Sequence, residues 1–136
     1  MTAPFTDVEW VLDTVDGALV LPDTRVHVVF SSEPVGPGDL LSGGGPADRY
    51  DRLAGGSGCN EFSTGYYAVD VGSGGYVVTF SGPPVSSVRG CPSPEAYAQE
   101  RAVQGVFRGD VHLRHVGDRL TVLDSADTER LVFRRP

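Results

Sequence analysis

Tyr66-Tyr67-Ala68-Val69-Asp70-Val71, then Gly72-Ser73-Gly74-Gly75, then Tyr76-Val77-Val78-Thr79-Phe80 is the stretch that decides the fold. Two runs rich in β-branched and aromatic residues flank four residues of turn chemistry, which predicts a β-hairpin. Just upstream, Gly55-Gly56-Ser57-Gly58-Cys59-Asn60-Glu61-Phe62 carries enough glycine to allow a bend, a bulge or a close approach of one backbone to another.

The pattern continues outward in both directions. Val8-Glu9-Trp10-Val11-Leu12 and Ala18-Leu19-Val20-Leu21 are broken by Asp16-Gly17, the turn signal of a short strand pair. Arg25-Val26-His27-Val28-Val29-Phe30 alternates at its start, placing Val26, Val28 and Phe30 on one face and His27 on the other. Residues 31–48 hold Pro34, Gly36, Pro37, Gly38, Gly43, Gly44, Gly45 and Pro46, so the expectation there is a long mobile surface loop. Downstream, Val85-Ser86-Ser87-Val88-Arg89 reads as a weak strand. Ser93 as cap, Pro94 at the first helical position and Glu95 near the positive end of the dipole predict a helix over 94–108, stopped by Gly109. Ala96, Ala102, Val103, Val106 and Phe107 share its apolar side, on which Gln99 and Glu100 intrude. Val111-His112-Leu113-Arg114-His115, Leu120-Thr121-Val122-Leu123 and Arg130-Leu131-Val132-Phe133 then form an antiparallel meander. About eight strands and one late helix result, within one domain.

Composition agrees. The chain has 136 residues, 40% hydrophobic and 21% charged, with 18 Gly and 10 Pro, which excludes a helical bundle and fits many short strands joined by turns. A domain of this size buries enough surface to need neither a metal nor a cross-link. The formal charge is −7, from 18 acidic against 11 basic residues. Every basic residue is arginine, which excludes a P-loop lysine and a Schiff-base lysine. An acidic surface repels phosphate, so neither nucleic acid nor anionic lipid is expected as a partner. The first ten residues show no basic segment, apolar region or cleavage site, no cysteine precedes Cys59, and no apolar run approaches the ~20 residues of a membrane span. The expectation is a cytoplasmic monomer without membrane insertion, an envelope location requiring that a leader has been removed.

No residue pattern assigns a catalytic group, a cofactor or a metal. His112 and His115 are three apart on a strand and so face opposite ways, and His27 stands alone. Ser57 in Gly55-Gly56-Ser57-Gly58 fails the nucleophile-elbow pattern because Cys59 stands where glycine is required. Cys59 has no basic neighbour to activate it, whereas Cys91 follows Arg89 and precedes the helix start. The residues alone leave these two as buried small hydrophobes, as a pair, or, for Cys91, as an activated thiol. The carboxylates scatter over loops, and neither a GxGxxG nor a Walker sequence is present.

Taken in order, Trp10-Val11-Leu12, Gly58-Cys59-Asn60-Glu61-Phe62 with Gly65-Tyr66-Tyr67, Gly90-Cys91 ahead of a helix bearing Glu100, Val103 and Phe107, Asp118-Arg119-Leu120-Thr121-Val122-Leu123, and Leu131-Val132-Phe133 make the chain resemble the META domain, or HslJ-like, family from about Trp10 to Arg134. The resemblance implies a mainly β fold with one helix (α+β): a small, partly open antiparallel β-barrel of about eight strands with a single packed helix. It implies no enzymatic activity, an association with bacterial stress responses, and action on an unidentified protein partner; the alternative is a barrel that carries a small apolar ligand. Trp10, Gly58, Asn60, Phe62, Gly65, Tyr66 and Glu100 are then structural. Gly58 and Gly65 would permit tight bends, Asn60 would bond backbone at a bulge, and Tyr66 or Tyr67 would offer an apolar face with a polar tip. Glu100, on the buried side of the helix, needs a partner, an arginine or a backbone amide, with a ligand contact as the alternative. The family pattern also places Cys59 and Cys91 at one end of the barrel, within disulfide range, where a reducing compartment would keep them as thiols. The sequence departs from the pattern at Ser86-Ser87-Val88-Arg89, where a threonine-bearing strand is usual, in its long 31–48 loop and in its missing leader.

Overall fold

The computed structural model describes residues 3–22, 24–34 and 50–136. Ten strands and one helix follow in the order β1 (Glu9–Val15), β2 (Ala18–Leu19), β3 (Val26–Pro34), β4 (Asp51–Ser57), β5 (Glu61–Gly72), β6 (Gly75–Phe80), β7 (Val85–Ser86), α1 (Pro94–Gln104), β8 (Asp110–Val116), β9 (Arg119–Leu123) and β10 (Glu129–Arg134). Eight of the strands pair antiparallel in the ring β1-β3-β4-β5-β6-β8-β9-β10, while the two-residue β2 and β7 attach to β1 and β5. The eight-stranded barrel with one helix is therefore present.

The ring is closed rather than partly open, because β10 returns to β1 with Val11 opposite Arg134 and Val15 opposite Leu131. A register shift between Leu12 and Thr14 bends β1, so that its first half serves β3 and its second half serves β10. Eight strands leave an interior that side chains can fill. Strand alternation sends Trp10, Val28, Phe30, Val78, Leu113, Leu120 and Phe133 into a single buried cluster, each such side chain contributing about 1.5–3 kcal/mol.

Several boundaries differ from the sequence reading, each for a non-local reason. Of the alternatives open for the glycine-rich stretch, the close backbone approach is the one found at Gly55, where a Cβ would overlap the His27 carbonyl, so glycine lets strand β4 lie against β3. β5 begins at Glu61, before the aromatic run, since Ser63 and Thr64 pair with Ala54 and Leu53 and the Thr64 hydroxyl donates to the Gly82 carbonyl at 3.0 Å. Residues 31–34, expected in the loop, continue β3 to the pair Pro34–Asp51; the rest of that loop, 35–48, lies outside the described residues. The helix stops at Gln104, with the Gly105 amide donating to the Arg101 carbonyl, so that Phe107 can turn inward onto Phe62 and Phe80, at ring-centroid distances of 5.4 and 5.7 Å.

Candidate functional site

The motif residues converge where α1 closes one end of the barrel. Ser93 caps the helix by accepting from the Ala96 amide at 3.1 Å, and the helix turns Ala96, Gln99, Glu100 and Val103 inward. Glu100 is only 6% exposed. Its Oε1 accepts from the Asn60 backbone N–H and lies within reach of the Ser57 hydroxyl, both at 2.8 Å, and its Oε2 accepts from Asn60 Nδ2 at 2.8 Å. The partner of the intruding carboxylate is thus the backbone amide, with two side-chain donors beside it. Hydrogen bonds to a charged acceptor of this kind contribute about 1.5–3 kcal/mol each.

The neighbouring polar groups extend the same attachment. Asn60 Oδ1 accepts from the Arg89 amide at 2.6 Å and from the Ser87 hydroxyl at 3.3 Å. Gln99 accepts from the Leu21 amide at 2.8 Å and donates to Thr24 Oγ1 at 3.0 Å, so the second intruding residue fastens the helix to the chain ahead of β3. Gln104 donates to Ser57 Oγ at 2.9 Å and Ser86 Oγ at 3.1 Å. Between these contacts Cys59 and Cys91 are joined in a disulfide, with Cα atoms 5.0 Å apart. The turn that presents Cys59 and Asn60 needs glycine at Gly58, whose φ is +107°.

The other predicted residues fall elsewhere. Trp10 is fully buried and its Nε1–H donates to the Phe5 carbonyl at 2.9 Å, tying the N-terminal segment to the barrel. Phe62 stacks on Phe107. Gly65 makes no bend: it lies within β5 opposite Arg52. Tyr66 belongs to the opposite end, where its hydroxyl donates to the Ser31 carbonyl at 2.8 Å and burial, then the charges of Asp51 and Asp7, hold the phenol protonated. Ser57, in the sequence a nucleophile candidate or part of a glycine-rich bend, is a buried member of this helix-to-barrel latch, and Gln104, which helical spacing sets off the apolar side, nevertheless reaches it.

Among the described residues one group brings three potential metal ligands together, Cys59, Cys91 and Glu100, with the two sulfurs bonded to each other. His112 bonds Asp127 at 2.9 Å, and His115 bonds the Gly117 carbonyl at 3.0 Å. Among the described residues, two of the clefts on the barrel adjoin motif residues. One of about 400 Å³ lies beside the latch, lined by Asn60, Ser87, Cys91, Tyr97, Glu100 and Arg101. Another of about 420 Å³ lies at the far end, lined by Phe5, Ser32, Asp51, Tyr66, Asp70 and Tyr76. Tyr67, Val69 and Val71 alternate along the outside of β5, 41%, 52% and 62% exposed. No helix among the described residues is long and apolar enough to cross a membrane.

Comparison with known proteins gives two matches. A family model described as META domain matches residues 3–136. A solved structure, determined by NMR, shares the fold with a TM-score of 0.64 at 15% identity, covering 99% of this chain and 96% of its own. No curated protein matches.

Proposed function

Since the chain belongs to the META domain family, we propose that it is a non-enzymatic, stress-associated accessory domain that acts, as a monomer, through its outer surface on another protein. One observation carries this reading. Ser57, Asn60, Gln99, Glu100 and Gln104 spend their polar groups on bonds inside the fold, and both cysteines are bonded to each other. Side chains held in this way serve the scaffold, and recognition is left to the exterior. There the apolar row Tyr67, Val69 and Val71 on β5 suits a protein partner. The bonded cysteines favour an oxidising compartment over the cytoplasm.

The test is capture from host cells, with and without heat stress, using the parent and a Tyr67→Ser/Val69→Ser/Val71→Ser variant of equal melting temperature. A protein retained by the parent and lost by the variant is expected. Equal capture by both would contradict the assignment of this face. A second reading, a carrier of a small apolar ligand, would have to seat it in the far-end cleft of about 420 Å³, whose lining joins Phe5, Tyr66 and Tyr76 to Asp51 and Asp70. Native mass spectrometry that finds a bound molecule, lost on Tyr76→Ser, would favour it over the first.

A further inference from the structure

The disulfide of the latch stands against a buried carboxylate, with Cys91 Sγ 3.7 Å from Glu100 Oε2. Cys59, Cys91 and Glu100 each offer one ligand atom, and these atoms lie within 4.8 Å of one another. We propose that, once the Cys59–Cys91 bond is reduced, the cluster becomes a binding site for one thiophilic divalent cation of the zinc class, held by two thiolates and the Glu100 carboxylate. This stands independently of the partner-binding reading.

Three features of the site support it. First, the carboxylate is already oriented: Oε1 is held by the Asn60 amide and the Ser57 hydroxyl, and Oε2 by Asn60 Nδ2. Outer donors of this kind fix a ligating carboxylate in metal centres. Oε2 uses one of its two acceptor positions on Asn60 and lies 3.7 Å from Cys91 Sγ, close to the ligand-to-ligand spacing of a tetrahedral zinc centre, roughly 3.4–3.8 Å by its bond lengths. Second, Glu100 is buried with only neutral donors around it, so a cation would neutralise an interior charge that no arginine or histidine among the described residues meets. Third, Cys91 and Glu100 both line the cleft of about 400 Å³, which gives an ion a route in and leaves a fourth position for water. Two sulfurs with one oxygen select zinc or cadmium over magnesium or calcium.

The steps balance as follows. A phosphine or dithiol reductant gives two electrons to the S–S bond, which takes up two protons to become two thiols, the reductant being oxidised. The cation then forms two S–metal bonds and one O–metal bond, and the two thiol protons pass to solvent.

The test uses the whole chain, reduced with a phosphine under nitrogen and titrated with Cd²⁺ and then Zn²⁺. An ultraviolet thiolate-to-cadmium band saturating at one ion per chain, reversed by Zn²⁺, is expected; the oxidised chain should show none. Glu100→Gln, checked by circular dichroism, should weaken binding at least about tenfold, and Cys91→Ser should abolish the band. A reduced chain that keeps its circular dichroism but shows no band would overturn the proposal. So would a reduced chain that loses its fold whether or not the cation is present, or affinity unchanged by Glu100→Gln, which would remove the carboxylate from the ligand set.

Discussion

The two ends of the barrel are held by different physics. At the end closed by α1, directional bonds do the fastening: a buried carboxylate with three donors, two glutamines that reach into the barrel and a disulfide. At the other end Phe5, Phe30, Tyr66 and Tyr76 meet edge to face, with ring centroids 4.8–5.3 Å apart. Packing accepts other residues of similar volume and shape, whereas a hydrogen-bond hub accepts almost none. That difference explains why the Gly58-Cys59-Asn60 turn and Glu100 are the distinctive part of the motif. Their residue types are dictated by bonds within the fold.

Substitutions at each end can break or sharpen this contrast. The largest effect is expected at the aromatic end, where Phe30→Ala should cost about 3–5 kcal/mol in denaturant unfolding; a loss below about 1 kcal/mol would mean that the rings there do not hold the barrel. At the latched end, Cys59→Ala/Cys91→Ala releases a loop spanning a sequence separation of 32 and should cost about 3–4 kcal/mol against the oxidised parent. That loss should disappear against the reduced parent, and its persistence there would assign the effect to packing. Asp51→Asn, beside the aromatic cluster, should have the smallest effect. Burial, then the charge of Asp7, holds the Asp51 carboxyl above its ordinary value. The fold therefore favours its protonated form, so its ionisation destabilises at neutral pH, and that penalty vanishes as pH falls from the folded value through the ordinary one. The Asp51→Asn variant should accordingly melt slightly higher than the parent at neutral pH and level with it below the carboxylate range. A variant that melts lower at neutral pH would reverse the sign.

Strand periodicity made most of the ring legible. Val26, Val28 and Phe30 share the core face as their alternation requires, and the hairpin of β5 and β6 closes where Gly72-Ser73-Gly74-Gly75 places it. What stayed hidden was non-local. Gly55 and Gly56 announced room for a close backbone approach, but not which chain makes it, because His27 is far away in sequence. Ring closure joins β1 to β10, a pairing that no local pattern encodes. Glu100 announced that it needed a partner, but Asn60 lies 40 residues earlier, and nothing in the spacing selects its amide over an arginine. The disulfide became an expectation only through the resemblance, since neither cysteine has a local signature of pairing.

That the motif side chains fasten the helix to the barrel is tested most directly by a double-mutant cycle on Asn60→Ala and Glu100→Gln, read by denaturant unfolding of the oxidised chain. Each single variant should lose about 1–3 kcal/mol, and the double variant should lose less than their sum by at least about 0.5 kcal/mol, because both break the same 2.8 Å contact between Asn60 Nδ2 and Glu100 Oε2. Losses that add to within about 0.3 kcal/mol, or single variants as stable as the parent, would contradict a latch at this end of the barrel.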